Sequence, residues 1–250
     1  MSINFCISLT TIPSRIKTIE KTINSLNDQE IRPNKIFLNI PYYYKRLGQK
    51  INEETIKKIK FDNVEIIRCD DFGPSTSFLG PIQKIKNKYD CMIIVNDDHI
   101  YNSKMTKIFI ENFSRNKINY SFYVQRIFNI DMAQTADGFL INTKLILNAE
   151  KFYKKYVENN KNLKVDDDLW ISIYLIDVMK SKIVNLINAI HQGGDITSKH
   201  LFHHPHRDKI LDILFLQQQE VIDAEIGTSE HIIKELKKQQ LILEQAKIIK

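Results

Sequence analysis

The chain has 250 residues, 43% of them hydrophobic and 26% charged, the balance of a folded globular protein with room for a sizeable core. Its net charge of +6 favours anionic partners, yet the cations are dispersed and no RNP pattern, zinc-finger spacing or arginine-rich arm is present, which sets nucleic acid aside. No apolar run approaches the ~18 residues that a membrane span needs.

The first run, Phe5 to Leu9, follows neither a basic leader nor a small-residue cleavage site and reads as a strand rather than a signal peptide. Thr10-Thr11-Ile12-Pro13-Ser14-Arg15 then turns the chain. Ile16, Ile19, Ile23 and Leu26 recur at helical spacing, so Ile16 to Leu26 is expected to be a helix. Lys35 to Ile40 reads as a second strand, Glu53 to Lys60 as a helix and Val64 to Arg68 as a third strand. After an Asp70-Asp71-Phe72-Gly73-Pro74-Ser75 loop, Ile82 to Lys88 is expected to be helical and Cys91 to Val95 to be a fourth strand. This rhythm predicts a doubly wound α/β fold around a largely parallel sheet.

Further on, Met105 to Asn112 reads as a helix, Ser121 to Val124 and Gly138 to Asn142 as strands, and Thr143 to Tyr156 as a helix. Val165 to Val178 is a strong helix carrying the only tryptophan, followed by an apolar run from Ile183 to Ile190. From Lys209 to Lys250 the pattern is amphipathic and helical, broken at Gly227-Thr228-Ser229, where Thr228 or Ser229 is placed to start a second helix. This tail is expected to pack on the body or on another subunit. Cys6, Cys69 and Cys91 lie in or beside strand runs without paired spacing, and read as buried thiols of a reducing compartment. A soluble, cytoplasmic protein is the expectation, with a peripheral membrane contact as the lesser alternative.

Chemistry concentrates where the strands end. Ile93-Ile94-Val95 runs straight into Asn96-Asp97-Asp98-His99. Carboxylates at the carboxyl end of a buried strand face the crevice in which open α/β sheets bind ligands. Paired oxygen ligands there suit a divalent cation bridging phosphates. Thr10, Thr11 and Arg15 follow the first strand and Asp70 and Asp71 the third, so one crevice gathers groups for a base, a pyrophosphate and a metal. Neither a G-x-G-x-x-G nor a Walker loop is present. Asp166-Asp167-Asp168 opens a helix, where one acid would satisfy the helix terminus and three repel one another, so the excess points to a site role. His200, His203, His204 and His206 crowd a short late stretch.

In order and spacing these segments resemble the GT-A fold of nucleotide-diphospho-sugar glycosyltransferases, most closely the small family 2-like transferases. The resemblance covers roughly residues 3 to 206. It rests on Thr10 to Arg15, on Gln29-Glu30-Ile31-Arg32-Pro33-Asn34-Lys35-Ile36, and on Asp71-Phe72-Gly73-Pro74. Asn96-Asp97-Asp98 and Asp167-Asp168-Leu169-Trp170 complete it. It implies a GT-A domain over residues 1–208; the amphipathic pattern of 209–250 makes that segment a C-terminal helical extension able to join protomers in a homo-oligomer. It also implies metal-dependent transfer of a sugar from a UDP- or GDP-linked donor to an acceptor hydroxyl, by an inverting route. Thr10, Thr11, Arg15, Asp71, Asn96, Asp97 and Asp137 would bind the nucleotide sugar, and Asp168, with Asp167 second, would act as general base. Asp98, with His204 or His206, would ligate Mn2+ or Mg2+. The chain departs from the family pattern at Asn96, where an acid is usual, and at Ser77, where a basic residue often stands. Those departures sustain an alternative, a catalytically degenerate binding or assembly module.

Overall fold

The computed structural model describes residues 2–127, 130–160, 163–186 and 202–203. They belong to one compact unit, Met1–Pro205; the second unit, His206–Lys250, lies outside them, as do the expected tail helices and both His204 and His206.

From the N-terminus, β1 (Phe5–Thr10) leads through a turn into α1 (Ile19–Asn27), β2 (Lys35–Pro41), α2 (Glu53–Lys58) and β3 (Val64–Cys69). A 3-10 turn at Gly73–Ser75 runs into α3 (Thr76–Leu79) and α4 (Ile82–Ile85), and then β4 (Cys91–Ile94), β5 (Ile100–Tyr101) and α5 (Met105–Asn116) follow. Next come β6 (Asn119–Ser121), β7 (Val124–Ile127), β8 (Ile130–Ala133), β9 (Phe139–Asn142), α6 (Ala149–Phe152) and α7 (Asp167–Ile173). β10 (Ile183–Asn185) and β11 (Phe202–His203) end the described chain.

Seven strands form one sheet in the order β10-β6-β9-β4-β1-β2-β3. It is parallel except at β9, which runs antiparallel to both β4 and β6. The apolar runs are continuous because both faces are covered. Ile7, Leu9, Ile93 and Val95 share a core with Ile19, Ile23 and Leu26 of α1 and with Phe109 and Phe113 of α5. The intervening Cys6, Met92 and Ile94 are equally buried on the opposite face. Two small pairs, β7 with β8 and β5 with β11, stand outside the main sheet.

The differences from the sequence expectations have local causes. α1 starts at Ile19 because the Ile12 carbonyl accepts from both Arg15 N (3.0 Å) and Ile16 N (3.1 Å), closing a separate turn after Pro13. α4 stops at Ile85, and Asn87 adopts φ 60°, which ends a helix. The single strand expected at Ser121 to Val124 is two, β6 and β7, kinked where the Ser121 hydroxyl donates to the Tyr123 carbonyl (2.8 Å). Thr143 to Tyr156 is a 3-10 turn, then α6, then a π turn over Tyr153–Val157. Cys6 and Cys91 are buried free thiols whose pKa burial drives up, whereas Cys69, at the open end of β3, is only half-buried. Among the described residues no helix is long and apolar enough to cross a membrane.

A buried polar knot fixes α3 to the sheet beneath the crevice. Ser8 Oγ donates to the Ser77 carbonyl, and Asn39 Nδ2 donates to Ser8 Oγ and to the Leu9 carbonyl, both at 2.9 Å. Gly80 ends α3 against it: a Cβ there would lie 2.6 Å from the Thr76 carbonyl and 2.8 Å from Asn39 Oδ1. Gly80→Ala is therefore expected to destabilise the protein by about 1–3 kcal/mol, since backbone must move to admit one methyl. Urea denaturation of the variant beside the parent measures it, and an unchanged midpoint contradicts the packing described.

Candidate functional site

The carboxyl ends of β1, β2, β3 and β4 open on a cavity of about 720 Å3. Thr10, Thr11, Arg15, Asp71, Asn96, Asp97, Asp167 and Asp168 all line it. Eight of the residues singled out from the sequence thus meet on one surface, although they come from four separate segments.

Thr11 and Asp97 form the floor. Both are buried, and Thr11 Oγ1 donates to Asp97 Oδ2 at 2.5 Å. Thr22 Oγ1, from α1, donates to the Asp97 carbonyl (2.8 Å), so the end of β4 is held against the helix that follows β1. Burial raises the pKa of the Asp97 carboxyl, an effect opposed by the Thr11 hydrogen bond and by Arg15. Arg15 bridges the two acids: Nη2 lies 3.0 Å from Asp97 Oδ1 and Nη1 lies 2.8 Å from Asp98 Oδ2.

Asp98 goes elsewhere. It is not part of the cavity wall, and its other oxygen lies 2.9 Å from His99 Nδ1. Consecutive residues leaving a strand diverge, so Asp97 turns in towards Thr11 while Asp98 turns out towards His99. The expectation that Asp98 is the leading metal ligand does not fit this arrangement. All four oxygens of Asp97 and Asp98 already accept from Thr11, Arg15 or His99, and a guanidinium stands between the two carboxylates. Asn96, which does face the cavity, offers a neutral amide in place of a carboxylate. Among the described residues no group of three or more His, Cys, Asp or Glu side chains is arranged to hold a metal ion.

Asp71 builds the wall. Its Oδ1 accepts from Gly73 N (2.9 Å) and its Oδ2 from Lys45 N (2.7 Å), tying the loop after β3 to the loop after β2. Gly73 has φ 65°, the left-handed conformation that suits glycine in such a turn. Thr10 Oγ1 donates to the Asn39 carbonyl (2.9 Å). Asp137 lies beside the cavity rather than in its wall, where its charge raises the pKa of both Tyr101 and Asp168.

The acidic triplet divides by position. Asp166 is the N-cap of α7, its side chain accepting from Leu169 N at 3.1 Å. That leaves Asp167 and Asp168, both half-buried, facing the cavity. Asp168 Oδ1 accepts from Thr135 N (2.9 Å), which fixes the carboxylate, while burial pushes its pKa up to about 6. Asp167 is pushed well above the carboxylate range by burial and by its two acidic neighbours. Adjacent carboxyls in a cleft, both pushed up by burial, are a pattern of acid–base sites.

Sequence reasoning missed a further set on the same wall: Tyr44, Lys45, Arg46, Leu47 and Lys164. Tyr44 is buried and its hydroxyl donates to the Thr11 carbonyl (2.9 Å), anchoring the loop that carries Lys45 and Arg46. The available signal was the strand-end rule itself, since the Pro-Tyr-Tyr-Tyr loop follows β2 on the crevice side.

No protein-family model and no curated protein matches the sequence. Solved structures do resemble the fold. One is S. aureus TarS 1-349 in complex with UDP-GlcNAc, at 12% identity and TM-score 0.42, covering 60% of this chain and 48% of that one. Another is the mannosyltransferase PcManGT from Pyrobaculum calidifontis in complex with GDP-Man and Mn2+, at 7% identity and TM-score 0.49, covering 74% and 55%. A third is the 4-diphosphocytidyl-2C-methyl-D-erythritol synthase of Anaerococcus prevotii, at 13% identity and TM-score 0.46, covering 74% and 87%. This chain spans about half the length of the first two. The likeness is one of architecture and carries no activity across; the chain's own fold is α/β, a mostly parallel seven-stranded sheet flanked by helices.

Proposed function

We propose that the chain is a glycosyltransferase that moves a sugar from a UDP- or GDP-linked donor to an acceptor hydroxyl, with Asp168 as general base. The observation that carries this reading is the convergence of Asp168 with Thr11, Arg15 and Asp71 on one cavity at the carboxyl ends of a GT-A-like sheet. In the proposed step the acceptor oxygen attacks the anomeric carbon as the bond from that carbon to the diphosphate breaks. The hydroxyl proton passes to Asp168 and the nucleoside diphosphate departs. A single displacement of this kind inverts the anomeric centre. The base must lie within hydrogen-bond reach of the hydroxyl and ionise near the working pH; a carboxyl held at about 6 meets the second condition.

Release of UDP or GDP from a panel of sugar nucleotides, with simple glycans as acceptors, tests the proposal. No release from any donor, under any metal condition, would leave the degenerate binding module as the reading. The pH dependence is fixed in sign. Asp168 accepts a proton only as the carboxylate, so kcat/KM is expected to be level above about pH 6 and to fall about tenfold per unit below it. A profile flat through this range would remove Asp168 from the role of base.

A further inference from the structure

Resting on the nucleoside-diphosphate reading above, we propose that this site neutralises its diphosphate with the chain's own cations, Lys45, Arg46 and Lys164, while Arg15 takes the place of a divalent ion between Asp97 and Asp98.

A divalent ion on a sugar nucleotide needs carboxylate oxygens that face the phosphates. Asp98 is not part of the cavity wall and its oxygens are engaged by Arg15 and His99, and Asp97 is 2% exposed with each oxygen engaged, one by Thr11 and one by Arg15. The Arg15 guanidinium already supplies positive charge within 3.0 Å of both carboxylates. A second cation at the same spot would be repelled by the first.

Lys45 and Arg46 enter from the loop after β2, and that loop is fixed at three points. Tyr44 Oη donates to the Thr11 carbonyl (2.9 Å), Lys45 N to Asp71 Oδ2 (2.7 Å) and Tyr44 N to the Gln49 carbonyl (2.8 Å). Lys164 enters from the 3-10 turn Leu163–Val165, whose Lys164 carbonyl lies against Gly73: a Cβ on that glycine would meet it at 3.3 Å. Lys45, through its backbone N–H, and Lys164, through its backbone carbonyl, thus lie against the Asp71–Pro74 loop, and Arg46 follows Lys45 on the cavity wall. Among the described residues none of the three takes part in an ion pair, whereas Lys84, Lys107 and Lys154 each pair with a glutamate. Uncompensated cations around a concave wall select an anion.

Ser77 adds to this. The resemblance places a basic residue there, but the Ser77 hydroxyl donates to the Pro74 carbonyl (3.1 Å) and stays buried. Lys164 lines the same cavity as Ser77, and its backbone carbonyl lies against Gly73 of that loop, so in this proposal a different segment supplies the positive charge.

Calorimetric titration of the full chain with UDP, and separately with GDP, in excess EDTA and then with Mn2+ or Mg2+ tests the inference. The expected result is equal affinity in EDTA and in metal, within the scatter of the measurement. Lys164→Ala and the double variant K45A/R46A should each weaken that metal-free binding about tenfold or more, the loss expected for a charge-assisted hydrogen bond. Far-UV circular dichroism and the melting temperature of each variant show that these surface changes leave the fold intact. Binding that appears only with the metal, and is lost in Asp98→Ala, overturns the inference and leaves the nucleotide-sugar reading standing. Binding of neither nucleotide in any condition overturns both.

Discussion

Asp168→Asn is expected to lower turnover by about 10²–10⁴-fold, the range supplied by a positioned general base, while donor affinity stays near that of the parent. The substitution is nearly isosteric, and an asparagine oxygen can still accept the hydrogen bond from Thr135 N that orients the carboxylate. The helix terminus is insulated from the change because Asp166 caps α7. What is removed is the ability to take up a proton. Asp167→Asn makes the matched control. Burial beside two further acids raises the pKa of the Asp167 carboxyl, which disfavours its charged form, so a neutral amide there is the milder change. Its rate is expected to fall far less. Single-turnover measurement of sugar transfer by both variants decides the assignment: equal losses would make the two carboxyls one functional unit, and a larger loss at Asp167 would reverse the roles.

The legibility of the site followed the legibility of the sheet. β1, β2 and β4 are buried on both faces and so appear in the sequence as largely apolar runs, the half-buried edge strand β3 still shows as Val64, Ile66 and Ile67, and the ends of these strands placed Thr11, Arg15, Asp71 and Asp97 on one crevice. β5, a two-residue strand, and the β7–β8 hairpin are too short, or too mixed in polarity, to announce themselves. α3 is hidden because Gly73-Pro74 reads as a simple turn, although the chain continues from it into a buried helical segment. Within the site, residue type was readable and side-chain direction was not. Asp97 and Asp98 are neighbours of identical chemistry, and only the turn after β4 decides that the first meets Thr11 and the second meets His99. Lys45, Arg46 and Lys164 were invisible for the opposite reason: in a chain with 36 Lys and Arg residues, three dispersed cations carry no pattern until folding brings them to one wall.

The expected result with the largest structural effect is at Trp170. Its ring is fully buried and packs against Phe78 (5.6 Å between ring centres), Tyr153 (5.5 Å) and Phe152 (6.2 Å). Its Nε1 donates to Ser75 Oγ at 2.9 Å. Trp170→Ala is expected to cost about 3–5 kcal/mol through lost packing and the cavity left behind, a large share of the ~5–15 kcal/mol that holds a typical domain together. Trp170→Phe keeps most of the ring contacts but deprives a buried hydroxyl of its donor, and should cost about 1–3 kcal/mol. The two variants separate packing from the hydrogen bond, and denaturant unfolding reads both. The bond matters beyond stability because of what it joins. Trp170 lies one turn into the helix that presents Asp167 and Asp168, and Ser75 closes the turn that follows Asp71 and Gly73. The acid-bearing helix and the loop between the flanking cations are thus held together through one indole. Trp170→Phe should therefore weaken nucleotide binding as well as stability, while a substitution of equal energetic cost far from the cavity, such as Ile110→Val in α5, should not. If both variants bind UDP and GDP as the parent does, the indole serves the core alone and the cavity walls keep their spacing without it.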